Sequence, residues 1–418
     1  MSSIDRLSAL PDGILIHILT FLPTNLSVST SILSRRWRFL WAYVPSLNFE
    51  NVYFHRERII LDIVNKVLSL YKAPIMNSFR LFYPGDGFAR SKSQLETCFS
   101  AVIQRNVKTL DLFVPSQDIL PRGVFTCKTL VDLRLAFSGG LHMTGDVHLP
   151  ALKSLQLTSV SHESDLSLAR MLSGCPVLEE LIVHCSDMVC CDISSPTIKN
   201  LVLRSKFYDS LGREVKINTP KLKYLQLWGL IPVDVSAGTL DSLIDVKIAV
   251  DDITLIQGPG ILYSQSVLKL VGGLCNVKCL TLLSGRLIVP DSAFSALTTK
   301  FHDLTKLELA GDGRFLSYFL GNADNLEVLT IRGLAHMMEP HQEPTCALSN
   351  LRTVTIDQFG CTEHEFGLIR CILWSAKVLK RMEIYIRGCG IDLKGKFEAL
   401  KKISLFPRGS VACELVFH

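Results

Sequence analysis

LVDLRL at residues 130–135 decides how this chain folds, because the same pattern keeps returning. It reappears as LKSLQL (152–157), LEELIV (178–183), IKNLVL (198–203), LKYLQL (222–227) and LIDVKI (243–248). VKCLTL (277–282), LTKLEL (304–309), LEVLTI (326–331), LRTVTI (351–356), LKRMEI (379–384) and LKKISL (400–405) complete the series. Each unit has an apolar residue, two variable ones, a second apolar residue, one variable, and a third apolar residue. The fourth position advances in steps of 20 to 28 residues, apart from one step of 34 between 246 and 280.

Strand side chains alternate between two faces, so the fourth and sixth positions point inward while their neighbours point out. One such unit cannot bury its own apolar face, and stability requires neighbours to stack. The period is that of leucine-rich repeats, and the expected fold class is an α/β solenoid, a horseshoe of repeats over residues 107–345. The connectors often place proline just before a unit, as at Leu149-Pro150, Cys175-Pro176, Ser195-Pro196 and Thr219-Pro220. The alternation predicts outward positions on the concave strand face. Among them Arg134, Arg204, Tyr224, Trp228, Lys306 and Arg332 are the candidates for binding a target protein. Gln156, His184, Gln226, Lys247 and Glu308 share that face. Most residues of such a face are simply solvated. Trp228 is either an exposed binding anchor beside Tyr224 or packs under a loop.

The flanks have a different texture. Residues 49–106 predict a helix over 59–70, with Ile60, Val64, Val67 and Leu68 on one face, then a strand over 78–83. A loop with Pro84, Gly85, Asp86 and Gly87 and a helix over 93–104 follow. This segment is expected to be a helical connector and N-terminal cap. Residues 1–48 form a separate helical module. Leu10, Ile14, Ile18 and Leu22 recur every four residues, and Pro11 and Asp12 suit a first helical turn. Pro23 stops this helix, a second is expected over 26–33, and Ser34 reads as the cap of a third over 35–41. Leu10, Ile14, Ile18, Leu33, Trp37 and Trp41 are more apolar surface than so small a bundle can hide. Either the next domain or another protein covers them. At the other end, residues 346–418 predict a helix over 363–375 between two strands, then a closing strand over 411–417. Val411, Cys413, Leu415 and Phe417 would face the core, with Ala412, Glu414 and Val416 opposite.

Of 418 residues 48% are hydrophobic and 20% charged, which excludes a mostly disordered chain. A net charge of +5 over this length does not argue for nucleic acid or a membrane surface. Arg35, Arg36 and Arg38 are explained by a helix end, which favours cations. The N-terminus does not read as a secretory signal, and no apolar run is long enough to span a membrane. The 13 cysteines are an odd number without regular spacing and read as reduced thiols. No GxSxG, HExxH, GxGxxG or phosphate-loop pattern occurs. Cys275 with Cys279, Cys190-Cys191 beside Cys185, Asp251-Asp252, His162 with Glu163, and His364 between Glu363 and Glu365 lack the partners of a metal or catalytic site. The expectation is a non-catalytic chain with no cofactor and no metal.

Two resemblances add to this reading. LPDGILIHILTFLPT (10–24) with VSTSILSRRWRFLWAYVPSLNFE (28–50) resembles a plant-type F-box, although Gly13 replaces the usual acidic helix former and Asn25-Leu26 a common Lys-Asp pair. The segment 348–384, followed by LFPRGSVACELVF at 405–417, resembles the FBD domain that accompanies F-boxes in plants. It matches at Phe359-Gly360, Glu365 and Cys413-Glu414. Residues 346–418 are then this domain, which continues and caps the solenoid and equally reads as its largest repeat. The resemblance implies the substrate receptor of an SCF-type ubiquitin ligase, located in the nucleus, the cytoplasm or both. It implies docking on a Skp-type adaptor through Leu10, Pro11, Ile14, Leu15, Ile18, Leu33, Trp37 and Trp41. Cullin and RING subunits would follow through the adaptor, and the repeats would hold an unknown protein substrate. The alternative is a leucine-rich interaction scaffold whose F-box no longer serves a ligase.

Overall fold

Eleven of the twelve repeat units become strands at the positions the pattern predicts. The computed structural model describes residues 7, 9–50, 57–85, 88–115, 120–137, 145–158, 165–185, 192–205, 215–229, 233–249, 260–283, 294–295, 297–311, 313–333, 348–387 and 393–418. It divides into two units, Met1–Cys191 and Asp192–His418.

The first unit opens with α1 (Asp12–Leu19) and α2 (Thr24–Ser29), followed by 3-10 turns at Thr30–Ile32 and Trp37–Tyr43. The first helix is shorter than its apolar stripe predicts. The third segment starts later than predicted and is a 3-10 turn, and Ser34 does not cap it: Arg36 stands at its start in helical conformation. Six parallel strands follow in chain order: β1 (Ser46–Phe49), β2 (Ser78–Phe82), β3 (Thr109–Phe113), β4 (Asp132–Ala136), β5 (Ser154–Thr158) and β6 (Glu180–Cys185). Leu47, Phe79, Leu110, Leu133, Leu155 and Leu181 lie in one register row, all buried. The stacking therefore begins at residue 46, inside the expected helical module. Between these strands run α3 (Glu57–Leu70), α4 (Phe88–Ile103) and α5 (Asp165–Ser173). The helical module is tied to the segment after α3. Lys72 and Ala73 N–H both donate to the Ala42 carbonyl, at 2.8 and 3.0 Å, and the Tyr71 hydroxyl donates to the Val44 carbonyl at 2.8 Å.

The second unit has nine parallel strands in its main sheet. They are β8 (Asn200–Ser205), β10 (Tyr224–Trp228), β12 (Asp245–Ala249), β13 (Cys279–Leu283), β14 (Lys306–Ala310), β15 (Val328–Arg332), β16 (Thr353–Phe359), β17 (Arg381–Ile386) and β18 (Glu414–Phe417). Leu201, Leu225, Val246, Leu280, Leu307, Leu329, Val354, Met382 and Leu415 share one row. The carbonyl just before a strand accepts two successive N–H groups of the next repeat. Lys223 O accepts from Ile244 and Asp245 at 2.9 and 3.0 Å, and Lys278 O from Thr305 and Lys306 at 2.9 and 3.0 Å. The connectors add a small sheet of β7 (Asp192–Ser194), β9 (Val215–Asn218) and β11 (Val233–Val235), and the helices α6 (Ala237–Leu240), α7 (Gly260–Gly272) and α8 (Gly313–Asn322).

Two expectations at the C-terminus need correction. LKKISL is not a strand. It lies in helix α10 (Leu393–Ser404), which follows α9 (Glu363–Ser375) and β17. Ala399 and Ile403, one helical turn apart, are its buried pair, and Lys401 and Lys402 sit in its last turn, where the dipole favours cations. The last row of the sheet is filled instead by β18, which is shorter than predicted. Val411 is fully exposed while Cys413 is buried, so the inward set starts at Cys413. Among the described residues no helix is long and apolar enough to cross a membrane, and no group of three or more His, Cys, Asp or Glu forms a potential metal site. Cys190, Cys191, Asp251, Asp252, His162 and Glu163 lie outside the described residues.

Candidate protein-docking surfaces

The helical module leaves part of its apolar surface in solvent. Pro11, Ile14 and Leu33 are exposed, and Leu10 and Ile18 are half-buried. Leu15, Trp37 and Trp41 are buried, at 0%, 7% and 5% exposure, and so are withdrawn from the predicted docking set. The physical reason is the 3-10 turn Trp37–Tyr43. It turns Trp37, Leu40 and Trp41 inward, and Ala42 and Val44 behind them bond to the segment at residues 71–73. In exchange the module exposes large apolar residues that the helical stripe did not single out as excess surface. These are Phe21, Leu26, Ile32 and Phe39, with Ile32 at 88%. The Arg36 guanidinium holds the start of α1: its Nε donates to Asp12 Oδ1 at 2.7 Å, and its Nη2 to the Leu10 carbonyl.

On the outward face of the first unit, Arg80 bridges Glu50 and Asp111, each at 2.9 Å. Burial pushes the Asp111 carboxyl above the usual range, against the pull of Arg80 and Arg134. Arg134 is exposed and pairs with Asp132 at 3.3 Å. Phe82 and Phe113 stack beside them, ring centroids 4.4 Å apart.

The other five candidates stand on the outward face of the second unit, where the alternation put them. Trp228 is half-buried between two cations on the strands either side of it. The Arg204 guanidinium lies 5.6 Å from the ring centroid and the Lys247 ammonium 4.7 Å. Its indole is thus held by cation–π contacts on the open face of the sheet. Gly229 lets the chain turn away directly after it: φ is +87°, and a Cβ there would meet the Ser205 carbonyl oxygen at 2.3 Å. Tyr224 and Gln226 on the same strand are exposed, as is Lys306 three strands on. Asp245 lies among these groups. Burial raises its carboxyl, and Lys247 and Lys306 pull the other way. Arg332 is engaged by Glu308, and by Asp357 at 3.8 Å.

The C-terminal segment carries a buried carboxylate. Glu365 stands in the first turn of α9, yet it is only 2% exposed. Its oxygens accept from Gly360 N–H at 2.9 Å, Thr362 N–H at 2.8 Å and the Thr362 hydroxyl at 3.0 Å, and Thr362 Oγ1 accepts in return from Glu365 N–H. This reciprocal capping box starts α9.

Family models match three stretches of the chain: an F-box domain at residues 7–49, the LRR repeats of "FBD-associated F-box protein At5g56370" at 95–250, and FBD at 339–384. The F-box/LRR-repeat protein At4g14103 of Arabidopsis thaliana is 35% identical over 361 residues, covering 79% of this chain and 92% of that protein. The chain belongs to the family of plant F-box/FBD/LRR-repeat proteins. The FBD-associated F-box protein At4g10400 is 30% identical over 436 residues, covering 99% of this chain and all of its own length. The F-box/FBD/LRR-repeat protein At1g13780 is 28% identical over 464 residues. Both are from Arabidopsis thaliana. The F-box match runs through β1, so this module contributes the first strand of the sheet. The FBD match spans β16, α9 and β17, and includes Glu365 with the N–H groups it caps.

Proposed function

We propose that this F-box/FBD/LRR-repeat protein is the substrate-recognition subunit of an SCF-type ubiquitin ligase. Its F-box docks on a Skp-type adaptor, and through it on cullin and RING subunits, while the repeats hold a target protein. The carrying observation is that the F-box buries some of its large apolar residues and leaves others bare. Trp37 and Trp41 are buried, yet Ile14, Phe21, Ile32 and Leu33 stay exposed on the same module. Exposed apolar groups of that size concentrate binding energy when a partner covers them. The receptor makes and breaks no bonds. It raises the local concentration of target lysines near a charged ubiquitin-conjugating enzyme.

The test is a pull-down of a Skp-type adaptor by the full chain and by Ile14→Asp with Leu33→Asp. Both side chains are exposed, so the variant keeps its melting temperature. Adaptor capture is expected to disappear. Undiminished capture refutes the assignment of this face.

A further inference from the structure

Charge is unevenly divided along the outward face of the second unit. Count, for each strand, its outward positions and the residue just before it. From β8 to β14 this set holds the cations Lys199, Arg204, Lys223, Lys247, Lys278 and Lys306 against Asp245 and Glu308, a net charge of +4. From β15 to β18 it holds Arg332, Arg352, Lys380 and Arg381 against Glu327, Asp357, Glu383 and Glu414, which cancel. Ion pairs run through the second group. Arg332 meets Glu308 and Asp357, Arg352 meets Glu327, and Arg381 meets Glu383 at 2.6 Å and Glu414 at 3.7 Å. Arg332 therefore draws Glu308 away from the basic half as well.

The basic half has Trp228 in its middle, with Arg204 and Lys247 against the ring from β8 and β12. We infer that this face binds a carboxylate-rich segment of a partner protein, with acidic side chains engaging Lys247 and the exposed lysines around it and an apolar one lying on the Trp228 indole. The inference rests on the reading of the repeats as the target-binding part and gives that target a chemistry. The spacing favours separate carboxylates over one phosphate. Strands lie about 4.8 Å apart, and Lys223, Lys247, Lys278 and Lys306 stand at or just before the four neighbouring strands β10, β12, β13 and β14, a spread of about 14 Å. One phosphate cannot engage all four, whereas separate carboxylates can. Alternate side chains of an extended segment are about 7 Å apart, close enough for successive acidic residues to meet successive cations. Lys223, Lys278 and Lys306, all exposed, extend the same field along the strands. Complementary charge of this kind sets partner choice and encounter rate and weakens with salt.

The experiment selects random 12-residue peptides, displayed on phage, on the immobilised full-length chain. The enriched peptides are then synthesised and titrated by fluorescence polarisation. Enrichment of Asp and Glu with an aromatic or aliphatic residue is expected. Affinity should fall at least tenfold in Lys247→Glu with Lys306→Glu, several-fold in Trp228→Ala, and again between 50 and 300 mM salt. It should be unchanged in Lys108→Glu, an exposed lysine just before β3 of the first unit. If the double reversal unfolds the chain, Lys247→Gln with Lys306→Gln serves in its place. Neutral or basic winners, no enrichment, acidic peptides that ignore the substitutions, or displacement by a single-stranded oligonucleotide that binds this face more tightly each overturn the inference. Adaptor pull-down from the same preparation separates the two claims. Lost adaptor capture refutes the receptor reading and leaves the acidic-segment reading to the titration, and the converse also holds.

Discussion

Glu365→Ala should destabilise the second unit by about 2–3 kcal/mol, and the structure gives each part of that figure. The carboxylate is buried and accepts two backbone N–H bonds and one hydroxyl bond, between 2.8 and 3.0 Å. Bonds to a charged acceptor contribute about 1.5–3 kcal/mol each in full burial. Thr362 is exposed, however, and water can replace the carboxylate there, whereas Gly360 is only half-exposed. The N–H of Gly360 carries most of the loss, and the loss of the cap adds about 1 kcal/mol. The loop has a cost of its own. Gln358 and Cys361 both have φ of +60°, a left-handed conformation that costs a non-glycine residue about 1–2 kcal/mol. Glu365 holds the chain between them to the first turn of α9, so its removal lets that loop relax, which offsets part of the loss. For a unit of this size 1 kcal/mol corresponds to about 2–4 °C, which gives a fall in melting temperature of about 5–10 °C. Circular dichroism melts measure it, and hydrogen exchange over residues 356–366 locates it. Glu365→Gln keeps one acceptor oxygen and should lose about 1 kcal/mol. A Glu365→Ala chain that melts within about one degree of the parent refutes the reasoning.

Two further outcomes test the assignments of core and surface. Trp37→Ala should cost about 3 kcal/mol, because it empties a buried site, and its loss of adaptor binding should track the unfolded fraction. A Trp37→Ala chain with parental stability and no adaptor binding would return Trp37 to the docking face. Burial pushes the Cys98 and Cys175 thiols up to about 12. The thiolate fraction drops tenfold for each pH unit below that value, so both stay protonated at pH 8. Iodoacetamide at pH 8 should therefore modify both more slowly than the half-buried Cys275. Peptide mapping that finds Cys98 labelled as fast as Cys275 contradicts the burial.

The repeat strands were legible because two independent periods coincide in them: two within each strand, and 20 to 28 between units. LKKISL satisfies both periods as well as its neighbours do, and only the helical spacing around it marks it as different. Its lysines at 401 and 402 and its buried partner Ala399 belong to the helical pattern. The strand Ser46–Phe49 was hidden for the opposite reason. Only Leu47 and Phe49 alternate there, and Pro45 reads as the end of a module when it is also the start of the sheet.

Within the docking faces, legibility depended on which backbone held the residue. On the strands one rule assigns every side chain to a face, and Arg204, Tyr224, Trp228 and Lys306 stand outward as the alternation predicts. In the F-box no single period applies, because an α-helix of 3.6 residues per turn gives way to 3-10 turns of three. A residue's face is then set by the contacts of Ala42 and Val44 with residues 71–73, which lie some 30 positions away in sequence and leave no local mark. The same reasoning explains why the basic half of the second unit was not visible as a patch. Its six cations are spread over more than 100 residues of a chain with little net charge. Parallel pairing in register, one repeat per strand, brings them onto one surface, and that pairing also lets the acids at the far end cancel their own neighbours.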